Sequence, residues 1–397
     1  MALADIYQKA TLVQIPSGYK AADAELYSVV PNTTAGDFTV SVAAGATRVN
    51  KDGLVESVAA NQARLDYNPS NPQDPTLLLE PSRTNNILQS NDPSGANWTD
   101  PLSRWALLTD TTTAPDGGTV RIIELTESGG SLIRLTGFSI AAGTYTVSFY
   151  MKDIDGNLTG GTVDIGDEGS AAPSPTFQNI GSNFVRASIT ITITGTKTYL
   201  DLQPSFSGST NKVAIWGCQL EAGSYATSLI PTTTEAVTRT VDTCSLPNFS
   251  NIPTDYPLTV YWKGEVKEFS GTNSAFSILK DGEAGVFLVV SFNTSSQVLV
   301  RRADGSGEEV DFISFSYSIG DILKIGIKFT STTTFKLFIN GALVHNETSG
   351  ISKTWLFNSV LIGQYRIVAD EGFRNPCNEL MLFNEALTDA ELITLTS

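Results

Sequence analysis

The sequence predicts an all-β protein: an N-terminal extended arm, a central β-sandwich and a C-terminal jelly roll. Three observations carry that reading. Short runs alternate apolar and polar residues, as in Tyr145, Val147, Phe149 and Met151 against Thr146, Ser148 and Tyr150, or Ala187, Ile189, Ile191 and Ile193 against Ser188, Thr190, Thr192 and Thr194. Alternation of this kind marks strands with one buried and one wet face. Nothing in the central region has the 3.6-residue period of a long helix. In FKLFINGALVHNE, Asn340-Gly341 joins two such runs, and a type I′ hairpin turn demands φ > 0 at both central positions, which Asn and Gly supply most cheaply.

Length and charge bound the function. At 397 residues the chain suits two or three domains, each large enough for its own core. A net charge of −16 is the wrong sign for neutralising phosphates, so nucleic acid is not an expected partner. No apolar run is long enough for membrane insertion, and Met1-Ala-Leu-Ala-Asp has neither the basic nor the apolar region of a secretion signal. Cys218, Cys244 and Cys377 form no CxxC pair; they read as buried thiols, with a Cys218–Cys244 disulfide as the alternative.

In chain order, residues 1–90 are the least regular. A short helix over Ala2–Ala10 precedes Val-rich strands interrupted by Gly, Pro, Asn and Asp, with Asp52-Gly53 as a tight turn and Leu77–Leu79 as a strand stopped by Glu80-Pro81. Such a segment buries little against itself, and it reads as an arm docking on something else. Residues 91–242 hold the central sandwich and a linker: Ala214, Trp216, Cys218 and Leu220 alternate in the closing strand, and a Pro- and Thr-rich tail follows. Cleavage within Thr232–Thr240 is expected to release a folded C-terminal module. Residues 243–397 carry further alternating runs: Leu258, Val260, Trp262 and Val266; Val286, Leu288, Val290 and Phe292; Leu323, Ile325, Ile327 and Phe329. Thr388 and Glu391 form a capping box that starts a terminal helix.

Two resemblances follow. LFINGALV, SVLIGQ and NELMLFNEALTDAELITL occur in the order seen in the concanavalin A-like (laminin-G-like) lectin and glucanase superfamily, which this region resembles. That likeness implies a two-sheet jelly roll of the kind used for carbohydrate binding, sometimes with calcium. The blocks ATRVNKDGLVESVAANQARLDY, PTLLLEPSRTNNILQS, AGTYTVSFYMK and WGCQLEAGSYATSLIPTTTEAVTRTVD, within residues 12–242, resemble bacteriophage virion fibre proteins of the tail fibre, spike and head fibre types. That likeness implies a homotrimer on the virion surface, assembled in the host cytoplasm. The N-terminal arm would attach to other virion proteins, and the outer domain would serve host attachment as an adhesin for host cell-surface glycans. A head-fibre or capsid-decoration protein with a mainly structural role is the alternative. A capsule polysaccharide depolymerase using Glu379 with Asp370 or Glu371 is a third reading.

The candidate site residues are few. A sugar needs an aromatic platform bordered by polar groups, and Trp355, Tyr365, Arg366 and Asp370 in KTWLFNSVLIGQYRIVADEGF offer one; Trp355 and Tyr365 equally suit the core. Trp98, Trp105 and Trp216 read as packing, with sugar stacking as the alternative. The E-x-D-x-E triplet of the glucanase branch is absent, and a Ser/His or Cys/His pair would have to use His345, the single histidine; no enzyme is expected. No cofactor is expected, although calcium could be held by loop acids such as Asp281, Glu283, Asp304, Asp370 and Glu371, which solvation also explains. Arg301-Arg302 reads as the solvated end of a hairpin.

Overall fold

Alternating strands must cover their apolar faces, and this chain does so in two stacked β-sandwiches. The computed structural model describes residues 2–20, 25–68, 71–128, 131–166, 176–179, 184–249, 255–267, 273–280, 283, 285–350, 352–353, 357–364 and 375–397. Nearly all of its regular structure is antiparallel strand; the described helices are Leu3–Tyr7, shorter than expected, Asp389–Thr396 and one 3-10 turn. Thr388 and Glu391 close the expected capping box, with the Thr388 amide donating to Glu391 Oε2 at 2.7 Å.

The central sandwich packs a six-stranded sheet on a four-stranded one. In the larger sheet the strands run in the order Trp105–Thr113, Thr119–Leu125, Asn211–Ala222, Gly143–Asp153, Val185–Ile193 and Thr176–Asn179. The smaller sheet holds Leu158–Ile165, Lys197–Phe206, Ile133–Ile140 and Trp98–Thr99. Val147, Phe149, Ile189, Ile215 and Leu220 meet Ile133, Leu135, Val163, Leu200 and Leu202 in one core. The face expected to be wet is covered in part: Thr146, Ser148 and Tyr150 are buried as well, while Thr192 and Thr194 are exposed as expected. A second small cluster, in which Tyr150 and Trp216 meet Val55 and Leu229, covers that outer face.

In the outer sandwich, one leaf runs Glu308–Ser314, Gln297–Asp304, Val286–Phe292, Asn273–Leu279, Ser359–Ile362, Thr243–Leu246. The other runs Cys377–Phe383, Leu258–Glu265, Ile322–Phe329, Phe335–Ile339, Ala342–Glu347. The Asn340-Gly341 hairpin has φ of +48° and +82°, as a type I′ turn requires.

The segment expected as an extended arm is built into this sandwich. Leu12–Lys20 pairs with Cys377–Phe383 on one side and Glu25–Val30 on the other; Phe38–Ser41 then pairs with Thr243–Leu246. Three N-terminal strands thus join the two leaves into one continuous curled sheet. The physical reason lies in their side chains. Leu12, Leu26, Phe38 and Val40 cannot cover one another, and they bury in the same core as Val260, Trp262, Ile325 and Leu382. The tail meant as a free linker is also tied down, because Val237–Arg239 pairs with Arg83–Asn85.

The pairing changes what a cut can release. A 243–397 fragment lacks the strands that cover Thr243–Leu246 and Cys377–Phe383, and it exposes two edges and part of an apolar core. It is expected to give no cooperative thermal transition in near-ultraviolet circular dichroism under conditions where the full chain melts sharply. A sharp melt of the fragment alone would show that the N-terminal strands are dispensable.

Candidate functional site

The sequence blocks that stand out between residues 64 and 242 converge where the two sandwiches meet. Arg64 is fully buried; its Nη1 donates to Glu80 Oε2 at 2.7 Å, to Ser228 Oγ at 2.7 Å and to the Thr47 carbonyl at 2.9 Å, while Nη2 pairs with Asp242. Arg239 adds a second cation, 2.8 Å from Glu80 and within reach of the Pro81 carbonyl at 3.1 Å. Glu80 in turn accepts from the Ser228 amide at 2.7 Å. Burial would raise Glu80, but Arg239 and Arg64 outweigh it and hold the carboxyl well below the ordinary range.

The Trp-Gly-x-Gln-Leu-Glu-x-Gly-Ser-Tyr block serves the same junction. Gly217 has φ of +64°, and the Tyr150 ring lies 2.7 Å from where a Cβ would stand. Gln219 Oε1 accepts from the Ile230 amide at 2.7 Å. Glu221 accepts from the Thr227 amide and hydroxyl, each at 2.7 Å. These side chains fold the 223–230 loop back over the outer face of the larger sheet.

Beside this network a cleft opens between the sandwiches. One cavity of about 110 Å³ is lined by Arg48, Asp66, Tyr150, Arg186, Tyr225 and Lys267. A second, of about 240 Å³, is lined by Tyr67, Asn68, Asp74, Thr76, Glu265 and Asn378; Asp66 and Lys267 border both. Three ion pairs lie at or beside the cleft: Lys267 with Glu265 at 2.6 Å, Lys263 with Asp74 at 2.9 Å, Arg48 with Glu56 at 2.8 Å. A neutral, hydroxyl-rich ligand therefore meets oriented acceptors and donors beside tyrosine rings, without an excess of one sign of charge. At the join, burial pushes the Asp66 carboxyl up to about 6, against the Val49 amide that donates to it at 2.8 Å, with Glu80 adding to the rise.

The sequence-derived candidates fare unequally. Trp355, Tyr365, Arg366 and Asp370, together with Asp281 and Glu371, lie outside the described residues. Trp98 and Trp216 are buried, and Trp98 Nε1 donates to the Gln89 carbonyl at 3.0 Å; half-buried Trp105 packs against the central core. Glu379 is buried and accepts from the Tyr7 hydroxyl at 2.5 Å, and burial raises its carboxyl. Among the loop acids, Asp304 is held by Ser306 and Lys353, and Glu283 pairs with Lys280. Cys218 belongs to the central core and Cys244 to the outer one; all three cysteines are free thiols. The expectation for Arg302 is corrected: its side chain is fully buried between the leaves, ion-paired to Glu309 and Asp311. Sequence reasoning missed Asp66, Tyr67, Arg186 and Lys267 as cleft residues; the Arg-Leu-Asp-Tyr block was the available signal.

No protein-family model matches the chain, and no curated protein matches it. Among solved structures, CBM40 of the Ruminococcus gnavus IT-sialidase is 14% identical with a TM-score of 0.32, over 36% of this chain and 84% of that one. The native heptameric SAP-like pentraxin of Limulus polyphemus is 15% identical (TM-score 0.31; 37% of this chain, 72% of that one). Domain 4 of AbnA, a GH43 extracellular arabinanase of Geobacillus stearothermophilus in complex with arabinotriose, is 15% identical (TM-score 0.33; 40% and 73%). Likenesses at this level transfer no function. The chain's own architecture defines it as an all-β protein of two stacked sandwiches.

Two outcomes follow from the junction. Replacing Arg64 by Ala strands Asp242 and half of the Glu80 pairing in a dry site, and is expected to cost about 3–5 kcal/mol in urea unfolding. Asp66 has the opposite sense: its folded carboxyl is raised, so its contribution is present below 3.8 and lost as pH rises through about 6. Asp66→Asn, which keeps an acceptor for Val49, is expected to melt higher than the native protein at about pH 8 and identically at about pH 4.

Proposed function

We propose that this chain is a structural subunit of a bacteriophage fibre or spike, assembled as a homotrimer, which binds host-surface glycans through its sandwiches. The observation that carries the reading is the convergence of the fibre-like sequence blocks on one buried ion network at the junction of the two sandwiches. A fibre tip needs such a junction, since adhesion under load requires that force pass from particle to ligand site without unfolding a linker. The lectin-like order of the outer strands and the hydroxyl-matching cleft around Asp66, Tyr67 and Lys267 supply the adhesive part. Three copies would raise avidity through effective concentration, so each site can be weak. With Leu12–Lys20, Glu25–Val30 and Phe38–Ser41 inside the outer sandwich, attachment to other virion proteins falls to a folded face instead of a free arm.

A second reading, a head-fibre or capsid-decoration protein with a spacer role, is favoured by one observation: both lysines beside the cleft are already ion-paired within the chain. Full-length protein on a glycan array, alongside its mass by light scattering, separates the two. Adhesion predicts a trimer that retains host-surface polysaccharide and loses it on Tyr67→Ala. A trimer that binds no host glycan would leave the spacer role, and a monomer would remove the fibre reading.

A further inference from the structure

The curled sheet of the outer sandwich has two terminal strands, Glu308–Ser314 and Ala342–Glu347, and side chains from both meet at its seam. His345 and Glu347 stand two apart on one strand, so both point to the same face; Glu309 and Asp311 do the same on the other. One ligand atom from each of Asp311, His345 and Glu347 lies within 4.8 Å of the others, and His345 Nε2 is 3.8 Å from Glu347 Oε2. A tetrahedral ion about 2.1 Å from each donor needs separations of about 3.4 Å, within reach of small side-chain rotations.

Two independent observations point to a cation. First, His345 Nε2 is buried without a hydrogen-bond partner, an atom whose lone pair or proton should be satisfied. Second, acidic groups gather here. Among the described residues, Glu309 and Asp311 pair with the Arg302 guanidinium, which also acts on Glu347 and stacks on the Phe335 ring beside His345.

We propose that Asp311, His345 and Glu347 bind one divalent transition-metal ion of the zinc type, which clips the two terminal strands together across the seam. An imidazole nitrogen with two carboxylate oxygens suits such an ion and disfavours calcium, which takes oxygen ligands. The fourth position falls to water or an incoming group, since all three side chains keep some exposure. The site is separate from the interdomain cleft, and its existence does not depend on adhesion.

Because His345 is the chain's single histidine, one resonance reports on it. Tag-free full-length protein, labelled with ¹³C at histidine Cε1 and stripped with EDTA, is titrated with zinc chloride and separately with calcium chloride. The expected result is a shift of the His345 signal that saturates at one zinc per chain, a rise in melting temperature, and no shift with calcium. His345→Gln and Asp311→Asn should each weaken zinc binding by at least about tenfold in calorimetry. An unmoved resonance at millimolar zinc, or undiminished zinc binding by His345→Gln, would overturn the proposal; the native resonance decides even if a variant fails to fold.

Discussion

The architecture depends on four charges with almost no access to water. Arg64, Glu80, Arg239 and Asp242 come from three separated segments, and each would be prohibitive alone in a dry site. Together they pair with one another and bond the backbone around them. The Glu80 amide donates to Asp242 at 2.8 Å, and the Asp242 amide to the Glu80 carbonyl at 3.0 Å. Desolvation makes the arrangement all or nothing, because a missing partner leaves an uncompensated ion instead of a weaker bond. That property explains why the Arg-Leu-Asp-Tyr, Leu-Leu-Leu-Glu-Pro and Thr-Arg-Thr-Val-Asp blocks read as distinct units although none carries recognisable chemistry.

The network also shapes the cleft between the sandwiches. Ser228, tied to Glu80, draws the 223–230 loop over the outer face of the central sheet, and Tyr225 and Arg186 then wall one side of the cleft. Asp66, two positions from Arg64, lines that cleft at the join of its two cavities. In the outer sandwich a second buried arginine, Arg302, pairs with both Glu309 and Asp311.

Much of the fold was legible in the sequence, for a reason of scale. Alternation at Tyr145–Met151, at Ala187–Ile193 and at Val286–Phe292, the Asn340-Gly341 turn and the Thr388–Glu391 capping box all involve residues within a few positions of one another. Their geometry is a local property of the backbone, so the residues by themselves determined an all-β chain with a terminal helix. What only the tertiary structure decided concerns partners far apart in the chain. Leu12–Lys20 looked like an arm because its partner strand begins at Cys377, and no local pattern names a partner at that distance. Arg302 looked solvated because burial of an ion depends on whether acids stand opposite it, and Thr146, Ser148 and Tyr150 looked wet because the loop that covers them belongs to residues 223–230. Short-range sterics set each strand; long-range desolvation chose which strands, charges and cavities met.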